Sequence, residues 1–148
     1  MKTKITSISI GLILITTSIY AQKKEDLKTI IDNKVTIKKY HDSEELGNMQ
    51  KGELLKLYME RITVLTNTLP YIAFATKPNV TMSNLGIPDT KENIKALEDQ
   101  HENTDIYVSN TSEFQKIILP YSDTNRLTNA ILFYEDIMKS LHNYEEFN

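Results

Sequence analysis

The sequence predicts an all-α fold, an antiparallel four-helix bundle that follows a secretory signal peptide. Apolar residues recur at steps of three and four along four separate segments, which is the spacing of one helix face. The chain has only four glycines and four prolines, and most of them lie between those segments. Alternating apolar runs joined by Asn-Gly or Asp-Gly turns, which are typical of β-hairpins, are missing from the sequence.

Residues 1–21 have the pattern of a secretory signal peptide. Lys2 and Lys4 form a short basic region, an uncharged apolar stretch follows, and Ala21 is a small residue before the expected cut. The apolar stretch is shorter than the roughly 20 residues of a membrane span. We therefore expect cleavage, transient membrane contact only, and an exported mature chain, residues 22–148, that is a single helical domain of the periplasm or cell exterior. An uncleaved anchor is the alternative.

Composition excludes several classes of function. The chain has no cysteine, so disulfides, thiol catalysis and cysteine-bound metals are ruled out. Loss of Lys2 and Lys4 takes the formal charge from −3 to −5, and an acidic chain of this size lacks the basic surface that nucleic acid requires. The excess of lysine over arginine is typical of an AT-rich bacterial genome.

The first predicted helix covers residues 25–41, where Leu27, Ile30 and Ile31 share a face. A polar connector follows it. The second predicted helix, residues 53–76, is the most apolar run after the signal peptide and should lie at the centre of the bundle. Its predicted core stripe is Tyr58, Ile62, Leu65, Leu69 and Ile72. Pro70 either kinks this helix, which we slightly favour, or breaks it.

Two further helices complete the prediction. Asp89 and Glu92 form a capping box that begins a long helix over residues 90–119, with a break at 109–112 as the alternative. Pro120 stops it, and Ser122 or Asp123 caps a last helix over residues 123–145. The last helix has the cleanest apolar stripe: Leu127, Ala130, Ile131, Tyr134, Ile137, Met138 and Leu141.

The segment between the second and third helices is the best candidate for a binding surface. Residues 77–89 contain prolines and a glycine, yet they also carry four large apolar side chains, which a solvated linker would not need. We expect this loop to pack on the bundle and to form, with nearby aromatic residues, a surface for another envelope protein or a small apolar ligand. The predicted surface comprises Tyr71, Phe74, Val80, Met82, Leu85 and Ile87.

One alternative is a metal-binding or redox bundle. Glu98 and His101 share a helix face, and the acidic strip continues through Glu102 and Asp105. Di-iron bundles use two such Glu-x-x-His motifs, whereas this sequence has one. The sequence also has no Gly-x-Ser-x-Gly elbow and no glycine-rich phosphate loop. The expected function is therefore non-enzymatic binding without a cofactor, with a purely structural or envelope-stress role as a third possibility.

Overall fold

The computed structural model describes residues 28–32 and 36–144. This part of the chain is all-helical, with four α-helices and no β-strand. The helices are α1 (Ser43–Gly47), α2 (Lys51–Thr68), α3 (Lys91–Ile118) and α4 (Thr124–Tyr144). None of the helices in this part combines the length and hydrophobicity that a membrane span requires. The predicted signal peptide lies outside the described residues.

The prediction of a helix over residues 25–41 is wrong for residues 28–32 and 36–41, which are not helical. Residues 25–27 and 33–35 lie outside the description. The backbone N–H of Ile30 donates to the carbonyl of Val80 at 2.7 Å, and Thr29 pairs with Thr81 in an isolated β-bridge. Ile30 and Ile31 are both buried. Pairing with the loop therefore satisfies this backbone, and two successive isoleucines can enter the core without a helix.

Pro70 ends α2, so the favoured kinked continuation to residue 76 is wrong and the alternative break is confirmed. Leu69–Tyr71 forms a short 3₁₀ turn after Thr68. Leu119–Tyr121, the same three residues in sequence, forms a matching turn after α3. In both places the proline ring and its missing N–H end the α-helical hydrogen bonding, and the tighter turn completes it.

The boundaries of α3 and α4 agree with the prediction to within one or two residues. α3 runs unbroken through 109–112. Its cap lies one residue later than predicted, because the Thr90 side chain accepts from the N–H of Asn93. The Asp123 carboxylate accepts from the N–H groups of Asn125 and Arg126, which confirms it as the cap of α4.

α2 and α4 lie side by side and run in the same direction. Leu54 packs with Leu127 and Ile131, Tyr58 contacts Tyr134 with ring centroids 5.5 Å apart, and further along Leu65 packs with Met138. Residues later in α2 therefore contact residues later in α4, as expected for parallel helices. α3 connects the end of α2 to the start of α4, so it runs in the opposite direction to both, and it contacts α2.

The buried face of α2 differs from the predicted stripe. Its buried residues are Leu54, Arg61, Val64, Leu65 and Thr68. Leu65 belongs to both sets, but Leu69 and Ile72 are 42% and 40% exposed. The predicted stripe assumed a helix that continues past Pro70. It also ignored Arg61, because a charged residue does not count toward an apolar face.

A buried charge cluster, which we define as Arg61, Glu135 and His41, joins α2, α4 and the N-terminal segment. Arg61 is 1% exposed and Glu135 is fully buried. Nε and Nη2 of Arg61 donate to Oε1 of Glu135 at 2.9 and 2.7 Å. The N–H of His41 donates to the other carboxylate oxygen at 2.6 Å, and Nη2 also donates to the carbonyl of Lys39 at 2.7 Å. The cluster therefore ties residues 39–41 to both helices.

The environment of Glu135 predicts a loss of stability in acid. Burial alone would raise its pKa, but hydrogen bonds from the backbone and ring of His41 and from Arg61, together with the charge of Arg61, outweigh burial and lower the pKa below 4.5. Because the folded pKa is below the unfolded one, the stabilisation is complete above the unfolded pKa and disappears as pH falls through the folded pKa.

We therefore expect the free energy of unfolding, measured with urea between about pH 3 and about pH 7, to fall below about pH 4.5. Glu135→Gln should flatten this acid limb, whereas Asp136→Asn at the neighbouring exposed position should leave it unchanged. An equally steep limb in Glu135→Gln would mean that other carboxylates cause the acid sensitivity.

Candidate ligand-binding pocket

The loop between α2 and α3 packs on the protein as a structured segment. Met82 is 5% exposed, and it belongs to a core cluster with Ile30, Ile31, Tyr71, Ala75 and Leu97. The loop is also hydrogen-bonded internally. The N–H and hydroxyl of Thr81 both donate to Oδ1 of Asn84, and the N–H of Ile87 donates to the carbonyl of Met82. The prediction that this loop packs on the helices is thus confirmed.

Two residues of the loop have positive φ, and each suits its position. Gly86 has φ of 72° and follows the 3₁₀ turn Ser83–Leu85. Asn79 has φ of 74°, and asparagine is among the non-glycine residues that best tolerate this region. Both residues turn the chain sharply, which lets a segment of about 12 residues fold back onto α3.

The loop, the residues just after α2, the N-terminal segment and the first half of α3 surround a pocket of about 260 Å³. Its walls are mostly apolar, and two amide side chains, Asn93 and Gln100, supply polar groups. Among the residues that the structure describes, no charged side chain lines the pocket. The lining residues are Ile30, Tyr71, Phe74, Met82, Ile87, Asn93, Ala96, Leu97 and Gln100.

Four of the six residues predicted for the binding surface line this pocket: Tyr71, Phe74, Met82 and Ile87. Val80 lies behind the wall, partly buried against the core cluster, and Leu85 is 37% exposed but does not line the pocket. The pocket wall that α3 and Ile30 provide was not predicted from the sequence. Near the start of α3, four lining residues follow each other at steps of three, one and three: Asn93, Ala96, Leu97 and Gln100. This spacing was the one signal in the sequence that could have indicated the α3 wall.

The hydroxyl of Tyr71 is a buried polar atom next to the pocket. Tyr71 is 6% exposed, and no hydrogen bond of ordinary geometry reaches its oxygen from the described residues. Burial raises the pKa of this phenol, the nearby Thr104 hydroxyl opposes that effect, and the charge of Asp105 adds to it. Tyr71 therefore remains neutral over the physiological range, as do the other described residues of the wall.

His101 lies behind the pocket and holds the N-terminal segment in place. Its Nε2 is 2.9 Å from the carbonyl oxygen of Ile30, so that nitrogen carries the proton and donates. Its ring meets the edge of Tyr71 at a centroid distance of 5.7 Å and an angle of 85°. Both contacts orient residues of the pocket wall, because Ile30 and Tyr71 line it.

The acidic strip around His101 comprises Glu98, Glu102 and Asp105. Glu98 pairs with Lys28 at 2.7 Å, while Glu102 and Asp105 are exposed. Across residues 28–32 and 36–144, no three His, Asp or Glu side chains lie close enough together to hold a metal ion. Metal binding by Glu98, His101, Glu102 and Asp105 stays a prediction.

Comparison with known proteins gave no match: no family model, curated protein or solved structure resembles the chain. The pocket must therefore be interpreted from its own residues.

Proposed function

We propose that the chain is a small exported helical-bundle protein of the bacterial periplasm or cell exterior that binds a small, neutral, apolar ligand in the pocket between the 77–89 loop and α3. The signal-peptide pattern of residues 1–21 supports export. The observation that carries the proposal is an apolar pocket whose described wall residues include two amide groups and no charged side chain. Apolar walls with few polar groups are the usual character of small-molecule sites.

The size of the pocket limits the ligand. Its 260 Å³ is slightly below the roughly 300–1,000 Å³ of sites for drug-sized molecules. A compact ring system or a short branched chain suits this volume, and Asn93 or Gln100 can hydrogen-bond one polar substituent. Nδ2 of Asn93 already donates to the carbonyl of Pro88 at 2.8 Å, which orients this amide. An ionised ligand would lack a counter-charge on the wall.

A second candidate is an envelope protein that inserts one apolar side chain into the same pocket. Phe74 is 54% exposed and Leu85 is 37% exposed, so apolar surface is accessible beside the pocket as well as within it. Exposed aromatic residues beside a pocket are common anchors of protein contacts. Competition between the protein partner and a small ligand would then be expected.

Binding can be measured with the neutral fluorophore N-phenyl-1-naphthylamine. We expect saturable fluorescence enhancement in the wild type. Phe74→Ala should weaken binding by about 5–10-fold, because one apolar wall is lost. Ala96→Trp should abolish it, because a large side chain added at this exposed helix position fills the pocket without removing core contacts.

Ile72→Ala is the matched control, since Ile72 is 40% exposed, lies two residues from Phe74 and does not line the pocket. Circular dichroism melts should show all three variants folded. The proposal fails if Ala96→Trp binds the probe as the wild type does, or if Ile72→Ala weakens binding as much as Phe74→Ala.

A further inference from the structure

The second half of α3 presents an apolar face that nothing in the described chain covers. The buried residues of this helix are Leu97 and Thr104, both in its first half. Five large side chains of the second half, and Tyr121 in the 3₁₀ turn that follows, are 49–87% exposed. The five residues on α3 are Ile106, Tyr107, Phe114, Ile117 and Ile118.

Helical spacing places these five residues on one side of α3. Tyr107, Phe114 and Ile118 follow each other at steps of seven and four, which brings them into one row. Ile106 and Ile117 are eleven residues apart and form a second row beside it.

The exposed area is close to what a stable dimer buries. An aromatic side chain can bury about 150–250 Å², and the three aromatic residues here are 59–87% exposed. With the three isoleucines, the face offers on the order of 700 Å² per copy. A standard protein interface buries about 800 Å² per partner, whereas the largest apolar patch of a typical monomer is about 300–600 Å².

The first half of α3 is the more acidic half. Residues 91–104 carry four acidic residues and two lysines. In the second half, Asp105 and Glu113 stand beside Lys116, and Glu113 pairs with Lys116 at 2.6 Å. A parallel partner would lay the two more acidic halves side by side, whereas an antiparallel partner keeps them apart.

We propose that α3 pairs with α3 of a second copy of this chain, antiparallel and about a two-fold axis near Asn110 and Thr111. Tyr107 of each copy then lies opposite Phe114 of the other, and the first half of each α3 lies along the second half of the other. An interface of this kind is isologous, so one patch serves both partners and the assembly closes at two copies.

Sedimentation of the full chain as purified, with its N-terminus defined by mass spectrometry, tests the pairing. We expect twice the monomer mass of 17.1 kDa for the uncleaved chain, or twice the correspondingly smaller mass after cleavage. Phe114→Asp should weaken association about 30-fold or more, as expected for the loss of a central anchor. Phe133→Asp is the matched control, because Phe133 on α4 is also 62% exposed, and its effect should stay within about 3-fold.

The absence of cysteine makes the orientation testable. Asn103→Cys and Ile118→Cys place single thiols at opposite ends of the face. Mixed together, the two variants should be linked to each other by a short bismaleimide, whereas each alone should give little linked dimer. Linking within each single variant but not in the mixture would show parallel pairing and overturn the proposal.

Three other outcomes would overturn it as well. One is a chain that stays monomeric at its highest soluble concentration while circular dichroism shows it folded. Another is equal weakening by Phe114→Asp and Phe133→Asp. The third is a chain that is dimeric only while it retains residues 1–21 and monomeric when it starts at Gln22, which would show that the N-terminal segment, and not the α3 face, holds the two copies together.

Discussion

Glu135→Ala is expected to lower the free energy of unfolding by about 3–5 kcal/mol, because it leaves the guanidinium of Arg61 buried without its counter-ion. Arg61 is 1% exposed and donates twice to the same carboxylate oxygen. The variant also removes the acceptor for the N–H of His41. Urea unfolding followed by far-UV circular dichroism measures the loss.

The adjacent residue provides the control. Asp136 pairs with Lys139 at 3.2 Å, with both side chains well exposed, and pairs of this kind contribute about 0–1 kcal/mol. Asp136→Ala should therefore change stability little. Replacing both members of the buried pair, as Arg61→Met with Glu135→Leu, should recover much of the loss, because neither charge then remains buried. If Glu135→Ala costs no more than Asp136→Ala, the buried cluster does not stabilise the fold as described.

Leu46→Ala should cost about 2–5 kcal/mol, although Leu46 lies in a helix of only five residues. Leu46 is fully buried and packs with Leu54, Leu127 and Ile131. Truncation would leave a cavity between α2 and α4 and would detach α1. Hydrogen exchange should report faster opening of residues 42–50, in addition to the loss seen by urea unfolding.

The neighbouring glycine should respond in the opposite direction. Gly47 is helical, and a Cβ built on it meets no atom within 4 Å. Gly47→Ala should therefore raise stability by about 0.4–1 kcal/mol, mainly by restricting the unfolded chain. A loss in Leu46→Ala no larger than the gain in Gly47→Ala would contradict the buried role of Leu46.

The sequence predicted best where periodicity alone decides the structure. In α4 the predicted stripe includes the buried residues Leu127, Ile131 and Met138. The same periodicity misled for Ile30 and Ile31, because spacing cannot show that the backbone of Ile30 pairs with the loop 50 residues later. It was also uninformative for Leu46, since one apolar residue in a polar connector gives no period.

The candidate pocket was predicted in part for a similar reason. The loop side could be inferred, since Met82 and Ile87 are apolar residues in a segment rich in turn formers. The α3 side could not, because Ala96 and Asn93 have no distinctive chemistry. The Arg61–Glu135 pair was missed because each residue looks like an ordinary surface charge until its partner is known.

The parallel course of α2 and α4 has a consequence for the order of events during synthesis. Arg61 and Glu135 are 74 positions apart, so at about 5–20 residues per second a ribosome makes Glu135 roughly 4–15 s after Arg61. Throughout that interval, the face of α2 that will later be buried against α4 is exposed to solvent, and Arg61 stays hydrated. The core between these two helices closes only after α4 has been made, so α4 determines when this part of the chain can fold.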